Sequence, residues 1–407
     1  MTSESSALRC DVFCRVVDNY GDAAVCWRLA HALAVEHGFR VRLWIDRPEV
    51  LAALQPALDP RAGCQWLDAV QVRRSPPPAE ETDLPDIAID AFGGGLPDTY
   101  ASALAARRPR AVCIVLEYLS AEAWAAGVHG LASPHPSLDL RRFFFCPGFE
   151  AGSGGLLRER GLLAERAAFE ADEHAQAGFR QRLGLPARAA DTPLISLFGY
   201  ANPGLHGLLD AMAAGPRPVL LAVAPGPLGE AAADWFESAG APVAVERGGA
   251  WATAGALHAR MLPFLPQPDY DRLLWSCDFN FVRGEDSLVR ALWAARPLCW
   301  HLYPQQDDAQ CAKLEAFLRT SARLSGPDTG ADVRGSRSAA VLADLQRAWN
   351  GCGLAPAARG RRVGSAWRAV LDALPDLRQC SAALAGRLAG EGDLAARLAG
   401  FCRDQLK

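Results

Sequence analysis

The sequence predicts an α/β protein of two domains, each a largely parallel sheet with crossover helices. Three observations carry that expectation. A chain of 407 residues is long enough for two or three domains of ~100 to 200 residues each. Short apolar runs alternate with longer helix-spaced stretches, and they do so twice, on either side of a weakly periodic segment at 150–190. The composition, 50% hydrophobic and 22% charged, is that of a globular protein and excludes a disordered tail, a collagen or a coiled coil.

Taken in order, the first half offers strands at 11–17, 40–45, 86–91, 111–116 and 143–146. Residues 22–37 have helical spacing, with Trp27, Leu29, Ala30 and Leu33 on the apolar face and Gly38 as a stop. After AGSGG comes a helical run, 156–183, and then the breaker-rich LPARAADTP, which marks an interdomain connection. The alternation resumes with strands at 194–198, 218–223, 261–264, 278–282 and 298–303. Residues 324–337 and 351–364 read as glycine- and arginine-rich loops, and helical spacing returns from Ser381. The expected organisation is therefore an N-terminal Rossmann-like domain at 1–155, a connection at 156–190, a second Rossmann-like domain at 191–364, and helices at 365–407 that pack back on the first domain. Two such domains facing across a cleft, with a terminal helix left over, describe the GT-B glycosyltransferase fold. A fold alone does not give a function.

Composition narrows the chemistry. A net charge of −4 provides no global drive toward nucleic acid or an anionic membrane. No run reaches the ~18 apolar residues of a membrane span, and MTSESSALRCD lacks the order of a secretory signal, so a cytoplasmic protein is expected. The twelve cysteines are scattered, many inside runs such as AVCIVL, with no C-x-x-C pair, and read as buried free thiols. Of the 42 basic residues only Lys313 and Lys407 are lysines. No G-K-[ST] exists, which excludes a P-loop, and the runs at 93–95 and 152–155 miss the G-x-G-x-x-G spacing of a dinucleotide fold.

Two segments carry chemistry. The first predicted strand runs into Val17-Asp18-Asn19-Tyr20-Gly21-Asp22, placing two carboxylates at the carboxyl end of a sheet strand, where open α/β sheets bind ligands. Asp22 also fits a helix N-cap, and Asp18 a turn. The second segment, Arg283-Gly284-Glu285-Asp286-Ser287, is a strand, a turn and a helix start. Its backbone N–H groups, with Arg283 and Ser287, suit a diphosphate, although Glu285 and Asp286 would repel one unless at least one of them turns away. Phe198, Tyr200, Phe264 and Gln267 follow strands at the same edge and offer the aromatic faces and amide that a nucleobase needs.

The blocks VVDNYGDAAVCWRLA, DAFGGGLP, LEYLSAEAW, VHGLASPHP, FFFCPGF with GGLLRE, LFGYANP, LPFLPQPDYDRLLW and FNFVRGEDSLVRALWAARPLCWHLYPQQDDA occur in order from Cys14 to about Phe317. Together they resemble the EarP family of bacterial protein-arginine rhamnosyltransferases, which modify translation elongation factor P. The resemblance implies an inverting GT-B enzyme, without metal or other cofactor, that moves L-rhamnose from dTDP-β-L-rhamnose to one arginine of that factor. It also implies activation of the factor for rescue of ribosomes stalled at polyproline. By motif, Asp22 would be the catalytic carboxylate, with Asp18 supporting the acceptor side. Phe198, Tyr200, Phe264 and Gln267 would hold the thymidine, and Arg283, Asp286 and Ser287 the diphosphate and ribose. Glu285 matches a position needed for activity. Segments 93–97 and 117–124, including Glu117 and Tyr118, are positioned to meet the acceptor. LFGYANP and DAFGGGLP depart from the family pattern in small residues, and 324–364 matches none of its motifs. A sugar-nucleotide epimerase of the same fold would bind a similar donor with no protein acceptor. A catalytically silent binding module would be expected to have lost at least one of these acids.

Overall fold

The structure is a computed structural model that describes residues 7–18, 20–77, 83–189, 191–241, 243–246, 249–305, 308–326 and 333–407. Its contacts divide the chain into Met1–Arg160 with Leu388–Lys407, and Gly161–Arg387. The first unit holds β1 (Arg9–Cys14), α1 (Tyr20–Val35), β2 (Arg40–Ile45), α2 (Pro48–Leu54), β3 (Cys64–Leu67), β4 (Val70–Arg74), β5 (Ile87–Ala91), α3 (Asp98–Ala106), β6 (Val112–Leu116), α4 (Ala123–Val128) and β7 (Arg141–Phe145). The strands form one sheet in the order β3-β4-β2-β1-β5-β6-β7, parallel except for the β3–β4 pair. Runs such as IAIDA and VCIVL are buried along their whole length, as strands covered by helices on both faces must be. Strand order reverses around β1, so the turn from β1 into α1 lies at the switch point where doubly wound sheets bind ligands.

The second unit begins with α5 (Leu162–Ala171) and α6 (Glu173–Arg182), then β8 (Leu194–Leu197), α7 (Leu205–Ala213), β9 (Val219–Val223), α8 (Pro227–Ser238), β10 (Ala244–Glu246), β11 (Gly249–Ala254), β12 (Leu257–Met261), α9 (Gln267–Ser276), β13 (Phe279–Arg283), α10 (Asp286–Trp293) and β14 (Leu298–His301). It continues with α11 (Ala309–Ser325), α12 (Val333–Asn350), α13 (Pro356–Asp372) and α14 (Leu374–Gly390), the last of which runs into the segment assigned to the first unit. Its sheet order is β10-β11-β12-β9-β8-β13-β14, with β12 through β14 parallel. Here the order reverses around β8, and the ends of β8, β13 and β14 lie side by side: Leu197 pairs with Phe281, and Arg283 with His301.

Several expectations are corrected. Residues 161–182 are not a connection but helices of the second unit, where Phe169 packs on Phe179 and Trp275 with ring centroids 5.9 and 5.7 Å apart. Of the helices at 365–407, residues up to Arg387 stay with the second unit. The chain returns to the first only from Leu388, through α15 (Leu394–Leu406), whose Leu394, Leu398 and Cys402 join the core of Leu29 and Leu33. The loop expected at 351–364 is largely α13. Its glycines, read as breakers, let it cross α7 closely: a Cβ on Gly207 would lie 1.9 Å from the Gly360 carbonyl oxygen. The loop at 324–337 is helical at both ends, with 327–332 outside the described residues. The strand expected at 261–264 ends at Met261, because Pro263 cannot donate to a ladder. Finally, Cys311 and Cys352 form a disulfide with a Cα–Cα distance of 5.7 Å, joining the start of α11 to the turn after α12, and the other ten cysteines are free thiols.

Candidate active site

In the first unit the acids cluster at the carboxyl ends of β1, β5 and β6. Asp22 is the third residue of α1 and only 2% exposed. Its Oδ2 accepts hydrogen bonds from the N–H groups of Val17 (2.7 Å) and Asp18 (2.8 Å). The N-cap reading is therefore set aside, because the carboxylate lies inside the first turn and reaches back to fix the strand-to-helix turn. Asn19 lies outside the described residues. The turn closes with Gly21 N–H donating to the Asp18 carbonyl at 2.8 Å, and a Cβ on Gly21 would stand 2.9 Å from Asp18 Oδ2, so the position needs glycine.

Among the described residues, the second oxygen of Asp22 carries one long contact, from the Tyr118 hydroxyl at 3.4 Å. Tyr118 stacks on Phe92 at 4.5 Å between centroids, and Phe92 is held at a φ of 61°. Burial pushes the Asp22 carboxyl above its ordinary value and Asp46 adds to the rise, while the two N–H groups and Tyr118 pull against it. Asp90 and Glu117 are raised as well, each by burial, and Glu117 further by the charge of Asp90. Five acids around one switch point make a site matched to a cation, and a guanidinium is the planar cation a carboxylate binds best.

In the second unit β13 delivers Arg283 between two rings. Its guanidinium carbon is 4.8 Å from the centroid of Phe198 and 4.6 Å from that of Tyr200. The aromatic pair expected from the sequence to face a nucleobase thus packs on the arginine. Ser287, in the first turn of α10, ties the same residue down: Arg283 N–H donates to Ser287 Oγ at 3.0 Å, and the hydroxyl donates to the Arg283 carbonyl. Asp286 opens α10 and faces the hydroxyl of Tyr270, which burial pushes up and Asp286 raises further.

Glu285 turns to Lys313 of α11, with Oε1 2.6 Å from Nζ. One of the two acids at this helix start is thus paired with a lysine. Gln267 opens α9, buried, three residues before Tyr270, and Phe264 stands in the preceding turn, 37% exposed. A bidentate pair between Arg290 and Asp271, 2.8 and 2.5 Å, fixes α10 on α9.

The sequence reading passed over His301, Tyr303 and the role of Lys313. Tyr200 meets His301 and Tyr303 edge-on, each at 5.3 Å, and Tyr303 is half exposed. Burial, together with Arg359 and Arg283, lowers His301 to about 3, so it acts as a neutral ring. His301 ends β14 beside Arg283 and Tyr303 follows two residues on, so the parallel register alone could have nominated this strand end.

The model of the family described as "Elongation-Factor P (EF-P) rhamnosyltransferase EarP" matches residues 10–403. The chain belongs to the EarP family. It is 43% identical over 396 residues to the protein-arginine rhamnosyltransferase of Pseudomonas putida KT2440 and 42% identical to that of Pseudomonas aeruginosa PAO1. Each match covers 97% of this chain and 99% of the relative. A solved structure described as "Structural basis for EarP-mediated arginine glycosylation of translation elongation factor EF-P" aligns with a TM-score of 0.64 and 34% identity, over 98% of this chain and 99% of that one. The α/β two-domain fold expected from the sequence is thus the fold of the EarP family. Among the described residues no helix is long and apolar enough to cross a membrane.

Proposed function

We propose that this chain transfers L-rhamnose from dTDP-β-L-rhamnose to an arginine side chain of translation elongation factor P, in the cytoplasm, with inversion and without a metal. The sugar-nucleotide epimerase alternative has less support, since the two Pseudomonas relatives that match over 97% of this chain are named protein-arginine rhamnosyltransferases. The observation that carries the reading is the Asp22 carboxylate, buried at the switch point with one oxygen held by two N–H groups and surrounded by further acids.

An arginine guanidinium has a pKa above 12 and its lone pairs are delocalised, so a carboxylate cannot deprotonate it in advance. Asp22 instead orients the planar group through a charge-assisted hydrogen bond and takes the proton as the new bond forms and the nitrogen becomes acidic. The nitrogen attacks the anomeric carbon from the face opposite the diphosphate. The C–N bond forms as the C–O bond breaks, the electron pair leaves with dTDP, and a β-donor gives an α-linked product. Asp18 supports the acceptor side, and Tyr118 touches the second oxygen of Asp22. Arg283 and the helix start at Asp286 and Ser287 stabilise the charge that grows on the departing diphosphate, which is the work a metal does elsewhere. Phe198, Tyr200, Phe264 and Gln267 serve the thymidine.

The test is calorimetry of dTDP-β-L-rhamnose and of dTDP, followed by turnover with elongation factor P. Binding with α-linked rhamnosyl-arginine as product is expected. A retained anomeric configuration, or donor turnover with no acceptor, would overturn the reading.

A further inference from the structure

Glu285 occupies the N-cap of α10, yet its side chain makes no capping hydrogen bond to that helix. Its Oε1 sits 2.6 Å from Lys313 Nζ, and both side chains are less than one-fifth exposed. The ammonium lies 5.8 Å from the Trp300 ring centroid, and the Trp300 indole N–H donates to the Gly284 carbonyl at 2.6 Å. Phe317, one turn after Lys313 on α11, meets Trp300 edge-on at 5.3 Å. The start of α11 is anchored separately by the Cys311–Cys352 disulfide, two residues before Lys313. In a chain whose other internal basic side chains of Lys or Arg type are all arginine, the one internal lysine is set against Glu285, one of the two acids at the start of the helix that carries Ser287.

An anion bound at a helix N-terminus gains from the dipole and the free N–H groups, and loses to any carboxylate left beside them. An ion pair spends the carboxylate's charge on its partner, and a compact ammonium on a flexible stem reaches a half-buried acid that a wide guanidinium fits less well. Resting on the donor-site reading above, we infer that Lys313 is a positioning residue of that site, which draws the Glu285 carboxylate away from the diphosphate and thereby sets the affinity for a nucleoside diphosphate. Lys313 acts through Glu285, not by touching the donor.

The experiment is titration calorimetry of dTDP, which requires neither sugar nor turnover, on the unsubstituted chain, K313M, K313R and the double variant E285Q/K313M, with thermal melting as a check on folding. K313M should bind dTDP at least tenfold more weakly while melting as a folded protein. K313R should recover part of that loss, because the charge returns in a poorer shape. E285Q/K313M should return to within about threefold of the unsubstituted chain, because the carboxylate charge that Lys313 offset is gone. Unchanged dTDP affinity in K313M overturns the inference. So does a double variant as weak as K313M, which would place the ammonium on the diphosphate itself. If the unsubstituted chain fails to bind dTDP, the donor-site reading falls and takes this inference with it. If K313M fails to fold, the comparison of K313R with E285Q decides: E285Q should bind dTDP within about threefold of the unsubstituted chain and K313R more weakly than E285Q, and strong weakening in E285Q is contrary.

Discussion

Replacing Asp22 separates the turn contacts of one oxygen from the catalytic charge that the proposed mechanism gives the carboxylate. Asp22→Asn keeps an acceptor for the N–H groups of Val17 and Asp18, now 2.7 and 2.8 Å away, and removes the charge. Loss of a positioned proton acceptor slows such reactions by about a hundredfold to ten-thousandfold, and that fall in kcat is expected while dTDP affinity stays within about twofold. Asp22→Ala also orphans two partly buried donors, at about 1 kcal/mol each, the low end for such groups. A total of about 2 kcal/mol lowers the melting point of a domain of this size by about 4–8 °C. The assay pairs steady-state turnover on elongation factor P with thermal unfolding of both variants. Asp22→Asn with kcat within tenfold of the parent would show that Asp22 is structural. Asp22→Ala melting with the parent would show that its hydrogen bonds do not hold the turn.

Further outcomes follow from the same geometry. Arg283→Ala should weaken dTDP by about tenfold to a hundredfold, the 1.5–3 kcal/mol of a charged hydrogen bond, and unchanged calorimetry would move the diphosphate elsewhere. Ser287→Ala, which removes both ties to the Arg283 backbone, should do so to a smaller degree. Because burial raises the Asp22 carboxyl, kcat/KM should fall on acidification at a pH above the ordinary carboxylate value. The stabilising effect of that raised carboxyl is fully present below its unfolded value and lost as pH rises through the folded one, so Asp22→Asn should raise stability at neutral pH relative to stability in acid. Thiol titration of unfolded, unreduced protein should count ten groups, and Cys352→Ser should lower stability of the second unit by up to about 4 kcal/mol, given a separation of 41 residues. A count of twelve would rule out the disulfide.

What could be read in the sequence was what is local. β6 and β9 were legible because VCIVL and VLLAV are buried on both faces and need no alternation. The Asp18–Asp22 turn and the Arg283–Ser287 turn were legible because each is a strand, a turn and a helix within a few residues. The hairpin of β3 and β4 was missed because the strands are short and polar, with Trp66 half exposed. α13 was missed because Gly360 and Gly364, breakers in isolation, are the contact surface of a tight helix crossing. Lys313 and Glu285 are 28 residues apart on different helices, and Tyr118 and Asp22 are 96 apart, so no local pattern could join either pair.

The central claim is tested most directly by intact-protein mass spectrometry of purified elongation factor P from the same organism, incubated with this chain, dTDP-β-L-rhamnose and a chelator. A gain of one deoxyhexose, absent with Asp22→Asn, is the predicted result. No mass change despite measurable donor binding would contradict the acceptor, and a gain that the chelator abolishes would contradict catalysis without a metal.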